Sequence, residues 1–210
     1  MSMLYTVYLH IKDQIDERLE EFRRLFADGS DKDLFKEMCF CMCTPQNNAQ
    51  KAWAAVCRLD DQGLLENGAF DESAEILRVE GVRFHKNKAS YILKNRPLFY
   101  PNTKERISRI ARDREQAEAR DTLAGVVAGW GLKEASHFLR NIGLGSRICI
   151  LDRHILRQLA LNGVIETTAL SPQTYHSIEQ RMMRFAEHER IPVDALDLTL
   201  WYQEKRELFK

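Results

Sequence analysis

The sequence predicts an all-α protein of two helical lobes, and three observations predict it. Apolar residues recur at spacings of three and four along almost the whole chain, the period of a helix with one buried face. No Val/Ile/Thr alternation bounded by hairpin turns is present, so strands should be scarce. Residues able to cap helix N-termini precede the periodic runs, and glycine or proline follows most of them.

Taken in order, Tyr8, Ile11, Ile15, Leu19, Phe22 and Leu25 make one stripe that stops at Gly29. Ser30 or Asp31 caps a second helix through Leu34, Phe35 and Met38, ending near Thr44-Pro45 because the residue before proline is pushed out of the α region. Asn47 or Asn48 caps a third, carrying Trp53, Val56 and Cys57. Asp71 opens a short helix through Ile76 and Leu77, closed by Gly81, and another starts near Lys86 and runs out at Pro97. Asn102-Thr103 caps Ile107, Ile110 and Ala111. A helix from about Arg114 to Ala128 leads into a glycine turn, after which Leu132, Ala135, Phe138, Leu139 and Ile142 form a stripe stopped by Gly143 and Gly145. Asp152 is a natural N-cap for Ile155, Leu156, Leu159 and Ala160. Ser171-Pro172 starts the helix of Tyr175, Ile178, Met182 and Phe185. The last helix, from Pro192 to Asp194 onward, holds Leu196, Leu198, Leu200 and Trp201.

At 210 residues and 44% apolar, the chain can bury a core and lacks a disordered composition. No apolar run approaches the roughly 18 residues that span a bilayer. Met1 to Tyr5 lack the charged-then-apolar design of a secretory signal, so the expected location is intracellular, in the cytoplasm. Cys39, Cys41, Cys43, Cys57 and Cys149 include no CxxC pair, and no nearby histidine completes a metal site, so buried packing roles are expected. Net charge is zero, 31 basic against 31 acidic, which argues against indiscriminate polyanion binding. Gly81 to Lys104 nevertheless contains Arg83, Lys86, Lys88, Lys94, Arg96 and Lys104 without one acid, either a solvated face or a nucleic-acid contact.

The most informative stretch is Val127-Ala128-Gly129-Trp130-Gly131-Leu132-Lys133-Glu134-Ala135-Ser136, followed by Leu151-Asp152-Arg153-His154. A Gly-x-Gly turn feeding a helix leaves backbone N–H groups pointing outward, as a phosphate oxygen requires. An amine nucleophile must shed its proton, and a helix N-terminus and partial burial both disfavour an ammonium. Lys133 occupies such a position, with Asp152 following 19 residues later. The plain alternative is a surface lysine paired with a helix-capping aspartate, worth under about 1 kcal/mol.

Val127 through Ala135 resembles the hairpin of the helix-hairpin-helix DNA glycosylase superfamily. The runs Gly131-Leu132-Lys133-Glu134-Ala135-Ser136-His137-Phe138-Leu139-Arg140-Asn141 and Asp152-Arg153-His154-Ile155-Leu156-Arg157 resemble one branch, the archaeal-type 8-oxoguanine DNA glycosylase/AP lyase. The resemblance implies one glycosylase unit over residues 1–210, with the helix-hairpin-helix motif at about 114–142, the aspartate segment at 151–157 and the active site in the cleft between two helical lobes. It implies Lys133 as the nucleophile and Asp152 as stabiliser of the oxocarbenium-like sugar. Gly129, Gly131, Leu132 and His154 would hold a phosphate. Phe84 and Trp201 would be stacking faces, although Trp201 also reads as a core residue. Gln46 would be a wedge filling the gap left by the base, in a loop that helix capping explains nearly as well. Lys210 would distinguish the oxidised base, unless it is a frayed terminus. The implied partner is damaged double-stranded DNA, met by a monomer. No cofactor and no iron–sulfur cluster are implied; a monovalent cation at the hairpin is the one ion the resemblance admits. Two other readings stay open: a glycosylase of the same superfamily for another damaged base, and a non-catalytic helix-hairpin-helix module that only holds DNA.

Overall fold

The computed structural model describes residues 2–209, and twelve helices fill those residues without a strand. They are α1 (Met3–Asp28), α2 (Asp31–Cys43), α3 (Ala49–Asp61), α4 (Leu64–Asn67), α5 (Phe70–Val79), α6 (His85–Phe99), α7 (Thr103–Ala111), α8 (Gln116–Val126), α9 (Leu132–Asn141), α10 (Arg153–Leu161), α11 (Pro172–Glu189) and α12 (Val193–Lys205). The caps lie where short polar residues permit them. The Ser30 hydroxyl accepts the Asp33 N–H, the Asn48 side chain accepts that of Lys51, and Ser171 accepts that of Thr174.

Two element boundaries depart from the sequence expectation. α4 has four residues, too few to show a period, and the Arg96 guanidinium holds its end. That side chain donates to the carbonyls of Leu64, Leu65 and Gly68 at 2.8–2.9 Å. α6 runs through Pro97 to Phe99, because the Tyr100 N–H bonds the Arg96 carbonyl at 2.9 Å and closes the final turn past the proline.

Two apolar clusters divide the molecule. One is built by α2 to α9, with Phe35, Met38, Phe40, Leu59, Leu77, Ile92 and Phe138 at its centre. The other joins the two ends of the chain: Ile11, Ile15 and Phe22 of α1 pack with residues of α10, α11 and α12 such as Leu159, Met182 and Leu196. α9 belongs to the first cluster through Ala135, Phe138, Leu139 and Ile142, while its opening Leu132 packs against the second. That helix therefore sits at the seam, and its N-terminus faces the space between the lobes.

Cys39, Cys41, Cys43 and Cys149 are buried and Cys57 is half-buried. Burial pushes the Cys43 thiol up to about 12, so at neutral pH it packs as a small apolar group. A sealed ion pair, Arg120 to Glu179 at 2.7 Å, ties α8 to α11, and the same carboxylate oxygen accepts the Cys149 N–H at 2.8 Å. Among the described residues no helix is long and apolar enough to cross a membrane.

Candidate active site

The hairpin is shaped by two glycines and one buried asparagine. Gly129 has φ of +86°, and a Cβ there would lie 2.3 Å from the Tyr91 ring, so both backbone and space demand glycine. Gly131 is the N-cap of α9, and its N–H donates to Glu134 Oε2 at 3.1 Å. Trp130 turns inward, 8% exposed, against Phe138 with ring centroids 5.1 Å apart. Asn95, fully buried on α6, accepts the Ala128 N–H at 2.9 Å and donates to the Ala128 carbonyl at 3.0 Å. That pair of bonds fixes the outward glycines from behind.

Asn95→Leu is expected to leave both half-buried Ala128 groups without their side-chain partner, at about 1 kcal/mol. The expected outcome is a lower melting temperature and several-fold weaker DNA binding. Thermal denaturation and fluorescence anisotropy with an uncleavable duplex would check it; unchanged affinity would separate Asn95 from the hairpin.

Beside the hairpin opens a cleft of about 1120 Å³. Lys133 and Glu134 enter it from the first turn of α9, Asp152 and His154 from the start of α10, and Trp201 from α12. The α2–α3 loop closes it with Gln46. Thus Lys133, Asp152, His154, Trp201 and Gln46 line one cavity, although they come from positions spread across the chain. Gly129, Gly131 and Leu132 are outside its lining; the two glycines are exposed on the rim and Leu132 is half-buried. Phe84 is also outside it, 54% exposed at the N-cap of α6. Lys210 lies outside the described residues.

The Lys133–Asp152 pair of the plain alternative is not formed. Lys133 Nζ ion-pairs with Glu134 Oε1 at 2.9 Å, not with Asp152. Asp152 Oδ1 instead accepts the N–H groups of His154 and Ile155, both at 2.8 Å, as the N-cap of α10. Its carboxylate is thereby fixed and half-buried, and among the described residues it has no counter-cation within ion-pairing distance. His154 meets Trp201 edge-on, centroids 5.1 Å apart, and its Nδ1 lies 3.4 Å from Glu204. Both contacts hold the half-buried Trp201 ring at the cleft wall.

Two of the proposed DNA-facing residues adopt left-handed backbone, Gln46 at φ +58° and Phe84 at φ +55°. One set of side chains knits their loops together. Asn47 donates to the Cys43 carbonyl at 2.6 Å and accepts the Arg83 N–H at 2.8 Å. The buried Lys88 donates to the carbonyls of Cys43 and Pro45 at 2.7 and 2.9 Å, and burial above all brings its ammonium down to about 8. Lys88 and Arg96 are thus internal clamps and Lys104 bonds the Ala27 carbonyl, so half of the acid-free basic segment is structural. Arg83 remains exposed at the cleft, and Lys86 and Lys94 are exposed outside its lining.

The sequence reading missed Glu134, Asn95 and the buried pair Arg140–Asp197, whose charged atoms are 3.5 Å apart at the cleft floor. Burial raises the Asp197 carboxyl to about 6. Its helical spacing of four from Trp201 was the available signal, since both then share one face of α12.

Comparison with known proteins follows the same outline. The family model described as 8-oxoguanine DNA glycosylase matches residues 15–191. The 8-oxoguanine DNA glycosylase/AP lyase of Fusobacterium nucleatum is 38% identical over 210 aligned residues, covering 97% of this chain and 94% of that protein. The protein of the same name from Methanocaldococcus jannaschii is 36% identical over 194 residues, 91% of this chain and 89% of its own. Among solved structures, the 8-oxoguanine DNA glycosylase of Thermotoga maritima superposes with a TM-score of 0.87 at 31% identity, over 99% of this chain and 96% of that one. The M. jannaschii 8-oxoguanine glycosylase/lyase in complex with a 15mer DNA containing 8-oxoguanine also gives 0.87 at 31%, over the full length of both. With a helix-hairpin-helix leading into a lysine-bearing cleft and relatives matched end to end, the chain belongs to the 8-oxoguanine DNA glycosylase family.

Proposed function

We propose that this chain binds damaged double-stranded DNA, removes 8-oxoguanine and then cleaves the strand at the resulting abasic site, as a bifunctional DNA glycosylase/AP lyase of base excision repair. One observation carries the mechanism: a lysine amine and an aspartate carboxylate share a cleft beside an exposed glycine turn. In this reading residues 1–210 act as a single unit, with the hairpin over about 114–142 and the aspartate segment over 151–157.

The damaged nucleotide leaves the stack, at a cost of a few kcal/mol, and enters the cleft. Backbone amides at Gly129 and Leu132, with His154, hold a neighbouring phosphate, a contact that positions the strand without reading sequence, whereas the Gly131 N–H proposed for the same contact is already taken by Glu134 Oε2. Lys133 Nζ attacks C1′ of the everted nucleotide, the base departs, and the Schiff base that follows permits β-elimination. The anionic Asp152 lies where positive charge grows on the sugar. Trp201 supplies a stacking face, and the exposed Phe84 a second when the strand is bound. Gln46, exposed at the cleft mouth, fills the space vacated in the duplex, and Lys210 contributes to reading the oxidised base. No cofactor and no iron–sulfur cluster enter this chemistry. The protein acts as a monomer in the cytoplasm, where DNA is its partner.

Incubation with duplexes carrying 8-oxoguanine, uracil or a preformed abasic site, with and without borohydride, tests the reading. Covalent trapping and strand cleavage are expected on the 8-oxoguanine and abasic duplexes and not on uracil. Trapping on a different damaged base would reassign the substrate, and salt-sensitive binding without product would reduce the chain to a DNA-holding module.

A further inference from the structure

Glu134 follows the nucleophile directly, and each of its two carboxylate oxygens has a distinct partner. Oε2 accepts the Gly131 N–H at 3.1 Å, and Oε1 lies 2.9 Å from Lys133 Nζ. As the third residue of α9 it sits where the helix favours negative charge. Its side chain is 13% exposed and that of Lys133 23%, both within the cleft lining. An amine can attack C1′ only after giving up a proton, and an acceptor must lie within about 2.6–3.2 Å of the atom that holds it. Asp152 caps α10 through Oδ1 and makes no ion pair with Lys133; Glu134 meets the distance requirement.

From this geometry we infer that Glu134 is the proton acceptor for the nucleophile, a catalytic residue that touches the reacting nitrogen. In the resting protein the pair is ammonium and carboxylate. An everted nucleotide filling the cleft expels water, and in that lower dielectric the neutral amine and carboxylic acid gain relative to the separated charges. The proton passes from Nζ to Oε1. The freed lone pair forms the Nζ–C1′ bond while the bond from C1′ to the base breaks; the bonding electrons leave with the base, which is protonated once it reaches solvent. The protonated Glu134 keeps Oε2 on the Gly131 N–H, so the hairpin does not move as the charge is cancelled.

This inference rests on Lys133 being the nucleophile, and the test separates the two. Glu134→Gln retains an oxygen for the Gly131 N–H but cannot take a proton; Glu134→Ala loses both roles. Single-turnover base release at saturating enzyme, borohydride trapping on an abasic duplex and the Kd for an uncleavable duplex are measured for each. Glu134→Gln is expected to slow release and trapping by about 10²-fold, in the range for general acid–base catalysis, with Kd unchanged within about twofold. Formate is expected to restore much of the rate to Glu134→Ala by acting as an external acceptor. Release by Glu134→Gln at the rate of the parent chain overturns the inference. So does a slow Glu134→Ala that formate leaves slow while its Kd rises, since that marks a purely structural clamp on the hairpin. Undiminished trapping by Lys133→Gln would instead overturn the reading beneath it.

Discussion

Lys133→Gln is expected to abolish borohydride trapping and lower base release by at least about 10⁴-fold, the scale on which an enzyme loses rate when its nucleophile is removed. Gln is close to isosteric up to the amide and remains polar, so the cleft keeps its shape while losing the only group proposed to form a bond to the sugar. Affinity should change little, because hairpin backbone and the exposed basic side chains hold the strand, and none of them depends on Nζ. The folded state should also be almost unaffected, since the Lys133–Glu134 pair is partly exposed and such pairs contribute little. The sharp result is therefore a protein that melts and binds like its parent and makes no covalent adduct. Trapping at the parental rate would show that another amine is the nucleophile.

Much of this architecture is legible in the sequence because helices announce themselves locally. The stripe from Tyr8 to Phe22, the Ser30 cap and the Ser171-Pro172 start each depend on residues within two turns. Gly129 and Gly131 were legible for the same reason, as a tight turn can be read from its own residues. Partnerships across the fold were not. Nothing near Lys88 signals that its ammonium caps α2, 45 residues earlier, and the lysine reads as one more surface charge. Asn95 looks like an ordinary helix-interior residue until Ala128 is brought against it. The Lys133–Glu134 pair was hidden differently: adjacent residues on a helix do not usually face each other, so the spaced Asp152 was the more natural partner. The cleft overrides that habit because the long lysine side chain can fold back over the first turn.

Asp152→Asn should give the second-largest loss, and its value lies in separating two roles held by one carboxylate. As a cap, Asp152 accepts the His154 and Ile155 N–H groups through Oδ1. Asparagine caps about as well, so helix α10 should form normally and stability should shift by no more than a few tenths of a kcal/mol. What disappears is the negative charge at the cleft wall. A preorganised charge facing developing positive charge in a water-excluded site typically contributes about 10²–10³ in rate, so base release should fall by that factor with Kd unchanged. Asp152→Ala removes cap and charge together and should add a stability loss of about 1 kcal/mol to the same kinetic defect. Comparing melting curves with single-turnover rates for the two variants therefore assigns each effect to its cause. Equal destabilisation in both would mean that the charge itself holds α10 in place, and near-normal release by Asp152→Asn would remove the carboxylate from the chemical step. Because Lys133 pairs with Glu134 and not with Asp152, the Asn variant leaves the nucleophile's own partner in position. Any rate it loses can then be read as lost stabilisation of the sugar cation.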